Sequence, residues 1–174
     1  KVYKNLTLTG MMGVGKSTIA KTLAKKLSFN FVDIDELIEK KERCSINDIF
    51  RNKSEIFFRK LENKITLEEL QKKGSVISLG GGAFLNRSIR QSVKRSSISF
   101  WIDVSLDILV KRLKKTKKRP LLVNKDLNKE VSKIYLERKK NYNQANFKIK
   151  CDFLKKDEIL KEILKLYENT RNQI

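Results

Sequence analysis

A chain of 174 residues, 40% hydrophobic and 34% charged, can bury one ample core beneath a polar surface, so a single domain is expected. One proline and seven glycines leave no room for a flexible linker, and no apolar run is long enough to cross a membrane. With no histidine, and with Cys44 and Cys151 far apart, a zinc site and a His-based catalytic triad are excluded.

The formal charge of +20 admits two readings. Lysines and arginines neutralise the phosphates of nucleic acids and release counterions. A solvated, lysine-rich surface gives the same sum, and here Lys21, Lys25, Lys40, Lys72, Lys111, Lys129 and Lys161 are dispersed with no aromatic-basic motif. The dispersed surface is the preferred reading, with no nucleic-acid partner expected. The opening "KVYKNL" enters strand-like sequence without a signal-type apolar stretch. A cytoplasmic location is therefore expected, and the missing initial Met suggests trimming or an incomplete sequence.

In chain order, a first strand is predicted at residues 4–9 and a helix from Lys16, with Ile19, Leu23 and Leu27 along one face. A second strand at 29–34 ends in "DID". Ser45 and Asp48 open a short helix over 46–50, and Ser54 opens a longer one carrying Phe57, Leu61 and Ile65. Gly74 ends that helix, and a third strand at 75–79 runs into three glycines. Asn86 caps a helix with Ile89 and Val93, and residues 97–104 read as a fully buried strand. Ser105 caps a helix with Leu106, Leu109 and Leu113. Residues 116–128 are charged, hold the only proline and show no period, as a mobile excursion would. A helix with Val131, Tyr135, Arg138 and Tyr142 follows, then a strand at 147–151 and a terminal helix with Ile159, Leu160, Ile163, Leu164 and Tyr167. This alternation predicts an α/β fold with a five-stranded parallel sheet flanked by helices on both faces.

"GMMGVGKST", from Gly10 to Thr18, satisfies G-x-x-x-x-G-K-[ST] between a strand and a helix. Its glycines let successive N–H groups of Gly13, Val14, Gly15, Lys16, Ser17 and Thr18 turn toward phosphate oxygens at a positive helix end. Lys16 reaches the β- and γ-phosphates, and the Ser17 hydroxyl suits Mg²⁺. Nucleoside triphosphate binding follows, whereas the acceptor does not. Alternation along a strand puts Asp33 and Asp35 of "DID" on one side. Asp33 could then hold Mg²⁺ through water and Asp35 orient a hydroxyl, or both could simply cap the next helix. Gly80, Gly81 and Gly82 offer bare backbone to a ligand, or a pliable turn. Arg59, Arg119 and Arg138 are, taken singly, ordinary surface charges in so basic a chain.

Taken together, "GMMGVGKST", "FVDIDELIE", "SINDIF", "FRKLE", "VISLGGG", "RPLL" and "ERKKNY" resemble the shikimate kinase family over nearly the whole chain. The resemblance implies a nucleoside monophosphate kinase-like P-loop fold, a single domain over 1–174, with a substrate-binding segment at 33–62 and a lid at 116–128. It implies transfer of the γ-phosphate of ATP to the 3-hydroxyl of shikimate, with Mg²⁺, in a monomer. It assigns Lys16, Asp35 and Arg119 to catalysis, and Ser17 with Asp33 (through water) to the metal. Asp35, Arg59, Arg138 and Gly80 to Gly82 would hold shikimate, Arg119 would close over the phosphates, and Arg112 would lie against adenine. One departure stands out: Lys150 and Cys151 occupy the place of an Asp-Thr-like pair near the adenine. A gluconate or nucleoside monophosphate kinase, or a basic nucleic-acid-binding protein that uses ATP as a ligand, are the rival readings.

Overall fold

The computed structural model describes residues 4–115 and 126–172. Five parallel strands, β1 (Asn5–Thr9), β2 (Asn30–Asp33), β3 (Ser75–Ser78), β4 (Ser97–Asp103) and β5 (Phe147–Lys150), form one sheet in the order β2-β3-β1-β4-β5. The helices are α1 (Lys16–Leu27), α2 (Ile34–Glu42), α3 (Ile46–Asn52), α4 (Glu55–Gln71), α5 (Arg87–Ser96), α6 (Leu106–Leu113), α7 (Leu127–Tyr142) and α8 (Lys156–Asn172). A short 3-10 turn, Ala83–Leu85, precedes α5.

β1 sits at the centre because it is paired on both sides, Leu6 with Val76 and Leu6 with Ile98. Every residue of β1 and β3 is buried, as expected of strands covered on both faces. From β1 the chain crosses toward β2, and from β4 toward β5 on the other side. Their carboxyl ends thus diverge where open α/β sheets hold ligands. Trp101, Tyr142, Tyr167, Phe84 and Phe100 are the bulkiest members of the core.

Side-chain caps set most helix starts. Ser45 accepts from the Asp48 amide, Ser54 from Phe57, Asn86 from Ser88 and Ile89, and Asp126 from Asn128 and Lys129. Two expectations change. The buried face of α4 carries Phe58, Glu62 and Ile65, while Phe57 lies at the surface, because the helix turns Phe58 onto Phe50 with ring centroids 5.0 Å apart. The second strand also stops at Asp33 and Ile34 begins α2, so Asp35 is a first-turn helical residue and strand alternation does not relate it to Asp33. Of the excursion predicted at 116–128, residues 116–125, Arg119 among them, lie outside the described residues, whereas Asp126 caps α7 and Leu127 and Asn128 begin it.

Candidate active site

The loop between β1 and α1 wraps the amino end of α1. Gly15 is the N-cap residue, with φ 97°, a left-handed conformation that side-chain-bearing residues rarely adopt. Lys16 is buried and its ammonium folds back along the loop, donating to the carbonyl oxygens of Gly10 (2.9 Å) and Met11 (2.8 Å). The Ser17 hydroxyl donates to the Asp33 carboxylate, whose other oxygen accepts from the Glu36 amide at 3.2 Å and caps α2. Asp33 therefore caps α2, one of the two roles its sequence left open, and its carboxylate also faces the phosphate loop through Ser17. A cavity of about 210 Å³ lies here, lined by Gly13, Gly15, Lys16, Ser17, Thr18, Asp33 and Asp35 among others. Val14 and Arg112 line neither this cavity nor the next. Val14 is buried, and its carbonyl accepts from Arg112 Nη1 at 3.3 Å.

A second cavity of about 460 Å³ adjoins the first, and Met12, Ser17, Asp33, Asp35 and Gly81 line both. Its remaining wall includes Arg59, Glu62, Gly80, Gly82 and Arg138, with Phe50 and Phe58 as an apolar face. The structure thus gathers Asp35, Arg59, Arg138 and the three glycines around one cavity. The glycines are there for space. A Cβ on Gly80 would stand 2.6 Å from Glu62 Oε1 and 2.8 Å from Asp35 Oδ1. One on Gly81 would meet Arg138 Nη1 at 3.1 Å and the Met12 nitrogen at 3.2 Å. One on Gly82 would strike the Arg59 guanidinium.

Glu62 is the residue that sequence reasoning missed. It lies one turn beyond Arg59 in "FRKLE", a spacing that puts both on one helix face. Arg59 Nη1 donates to Glu62 Oε2 at 2.8 Å, and Glu55 lies 3.3 Å from Nη2. Burial pushes the Glu62 carboxyl above its ordinary range, against the pull of Arg59, and nearby Asp35 adds to the rise. Burial alone would lower Arg59, but Glu62 and Glu55 outweigh it and hold the guanidinium firmly charged. The Tyr142 hydroxyl donates to the Gly81 carbonyl, fixing the glycine turn against α7, which also carries the buried Arg138. At the end of β5, burial pushes the Cys151 thiol up to about 12, so it is an inert packing group, while Lys150 is exposed.

A phosphate loop joined to a chamber with Arg59, Arg138 and the carboxylate of Asp35 on its wall, beside Asp33, Glu36, Glu39 and Glu62, suits phosphoryl transfer to a small acceptor bearing a carboxylate and hydroxyls. A sequence profile of the shikimate kinase family matches residues 12–168. A shikimate kinase of Sulfurihydrogenibium sp. is 43% identical over 92% of this chain and 96% of its own. One from Persephonella marina is 41% identical over 92% and 97%. Among solved structures, shikimate kinase from Acinetobacter baumannii in complex with shikimate superposes with a TM-score of 0.92 at 28% identity, covering 97% of this chain and 95% of that one. The Aquifex aeolicus shikimate kinase does so at 0.84 and 35%, covering 95% and 97%. A gluconokinase from Sinorhizobium meliloti, at 0.57 and 13%, shares the fold alone. The likeness runs from the phosphate loop into the last helix and takes in the acceptor cavity on the way, so this chain belongs to the shikimate kinase family.

Proposed function

We propose that this protein transfers the terminal phosphoryl group of ATP to the 3-hydroxyl of shikimate, yielding ADP and shikimate 3-phosphate. The observation that carries the reading is the meeting of the phosphate-loop cavity and the arginine–glycine cavity at Asp35. A shikimate complex of a relative with a TM-score of 0.92 supports the choice of acceptor.

The backbone of residues 13–18 would hold the phosphates, and Lys16 would exchange the carbonyls of Gly10 and Met11 for phosphate oxygens. Arg59 and Arg138 would grip the carboxylate, with Glu62 keeping Arg59 in place. Asp35 would align the hydroxyl and take its proton as the new O–P bond forms and the bond to the β-phosphate breaks. Arg112 would border the adenine. Arg119, within a lid at 116–128, would close over the phosphates, and 33–62 would be the acceptor segment of a single domain.

Ser17 and Asp33 offer Mg²⁺ a hydroxyl and a carboxylate at the edge of the phosphate cavity, a hard-oxygen pair that fits the ion. When bound, Mg²⁺ neutralises charge on the phosphate oxygens. We take the protein to act as a cytoplasmic monomer on these small molecules and not on nucleic acid. Among the described residues no helix is long and apolar enough to cross a membrane.

The deciding experiment is ADP release by the purified protein with ATP and Mg²⁺, alone and with shikimate, gluconate or AMP. Release that depends on shikimate is expected. Release with gluconate or AMP only would overturn the acceptor.

A further inference from the structure

Two arginines line the acceptor cavity, and they are anchored differently. Arg59 is held by the carboxylates of Glu62 and Glu55. Arg138 is almost wholly buried, yet among the described residues no acidic side chain forms an ion pair with it. Beside it stand Tyr142, one turn further along the same face of α7, and the glycine turn. The Tyr142 hydroxyl donates to the Gly81 carbonyl and lies 3.8 Å from Met11 Sδ of the phosphate loop. Arg138 Nη1 comes within 3.1 Å of the place that a Cβ on Gly81 would take. Arginine and tyrosine thus converge on one residue of the cavity wall. The Tyr142 ring is fully buried against Trp101, with centroids 5.8 Å apart, so its hydroxyl cannot swing elsewhere.

We propose that Tyr142 is a positioning residue whose hydroxyl, tied to Gly81, sets the Arg138 guanidinium in place to receive the carboxylate of the acceptor. The inference rests on the shikimate reading above. A phenol has one proton, and here it goes to Gly81. Toward a guanidinium, which only donates, the same oxygen can only accept. Burial pushes the Tyr142 phenol above its ordinary range, against the pull of the Arg138 guanidinium beside it, so the proton stays on the oxygen at neutral pH. A charge on a long side chain binds better when it is held before the ligand arrives, because less freedom is then lost on binding. Arg59 carries the same charge on the same cavity wall, so an Arg138 freed from Tyr142 gains by moving away from it. The carboxylate would then meet one arginine instead of two.

The test compares the wild-type enzyme, Tyr142→Phe, Arg138→Ala and the double variant in steady-state kinetics, with shikimate and shikimate methyl ester as acceptors. Tyr142→Phe keeps the ring and removes only the hydroxyl oxygen. It should raise KM for shikimate by about tenfold, the loss expected of one hydrogen bond to a charged group, with KM for ATP within about twofold. KM for the methyl ester, which lacks the charge, should move by less than about twofold. On the Arg138→Ala background the same substitution should add less than about twofold for shikimate, because the group through which it acts is gone. The two comparisons are independent, and either alone decides. A purely structural role predicts the same factor on both backgrounds and for both acceptors. Equal factors of that kind, or an unchanged KM for shikimate in Tyr142→Phe, would overturn the proposal. A smaller folded fraction scales kcat for every substrate alike and leaves KM unmoved, so partial misfolding does not blur the comparison. A wild-type enzyme that ignores shikimate and phosphorylates another acceptor would instead overturn the functional reading, a result distinct from a missing Tyr142 effect in an enzyme that uses shikimate.

Discussion

Two glycines of this site are required for different reasons. A Cβ on Gly15 would meet nothing within 4 Å, so its requirement is conformational, the left-handed turn that aims amides at phosphate. Gly82 has no such backbone demand, and its requirement is room for Arg59. Arg59 cannot step aside freely, because Glu62 and Glu55 hold it from two sides. Gly82→Ala should therefore fold and bind ATP normally while raising KM for shikimate by about 10- to 100-fold, the range for a displaced charge-assisted contact. Titration calorimetry with each substrate separately checks this, and an equal loss of ATP affinity would contradict it. Lys16 is the corresponding test on the other cavity. Lys16→Ala should lower kcat on the order of 10²-fold or more, since a fixed cation aimed at developing charge acts mainly in the transition state. Turnover near the wild-type rate would remove Lys16 from the mechanism. The phosphate loop was plain in "GMMGVGKST", whereas Glu62 was not, since a glutamate on a charged helix looks like any surface residue until the fold buries it.

Elements of this fold are tied together by polar side chains that periodicity does not reveal. Asn5, at the start of β1, is almost wholly buried and works as a clamp. Its Nδ2 donates to the carbonyls of Leu70 (3.3 Å) and Lys72 (2.7 Å), and its Oδ1 accepts from the Ser75 amide (3.0 Å). One side chain thus satisfies the end of α4, the turn after it and the start of β3. Asn5→Ala strands those backbone groups inside the protein and should destabilise it by about 3 kcal/mol, at roughly 1–3 kcal/mol for each buried unpaired group discounted for relaxation. Denaturant unfolding measures the loss, and KM values at a permissive temperature should stay unchanged. A change below about 0.5 kcal/mol would show that the clamp is dispensable. By contrast, Ser45, Ser54 and Asn86 were legible as caps, because capping is local chemistry within three residues. The boundary between β2 and α2 was misread in sequence by the same local view. "DID" suits a strand end, but the Asp33 cap starts the helix one residue later and moves Asp35 onto it.

Across the whole molecule, 40 basic residues against 20 acidic ones leave the compact state repelling itself. Ion pairs such as Arg51–Asp48 and Lys72–Glu69 join sequence neighbours at partly exposed positions and offset little of this. Raising sodium chloride from low to near-physiological concentration should therefore stabilise the fold, by about 1 kcal/mol or roughly 2–4 °C in Tm for a domain of this size. Chloride is the salt to use, since sulfate would bind the phosphate loop directly. A Tm that fell with added chloride would show that attractive pairs dominate.

Fold class, strand number and phosphate loop were determined by the sequence alone, because hydrophobic period, caps and a glycine-rich loop act over a few adjacent residues. The candidate acceptor residues came instead from the family resemblance that a set of ordered motifs carries. Only the tertiary structure decided that Asp35, Arg59, Arg138 and Gly80 to Gly82 share one cavity, and that Glu62 is buried among them. Those facts depend on α3, α4 and α7 meeting above the carboxyl ends of β1, β2 and β3. Contacts between residues as distant as Gly81 and Tyr142 have no period for a sequence to display.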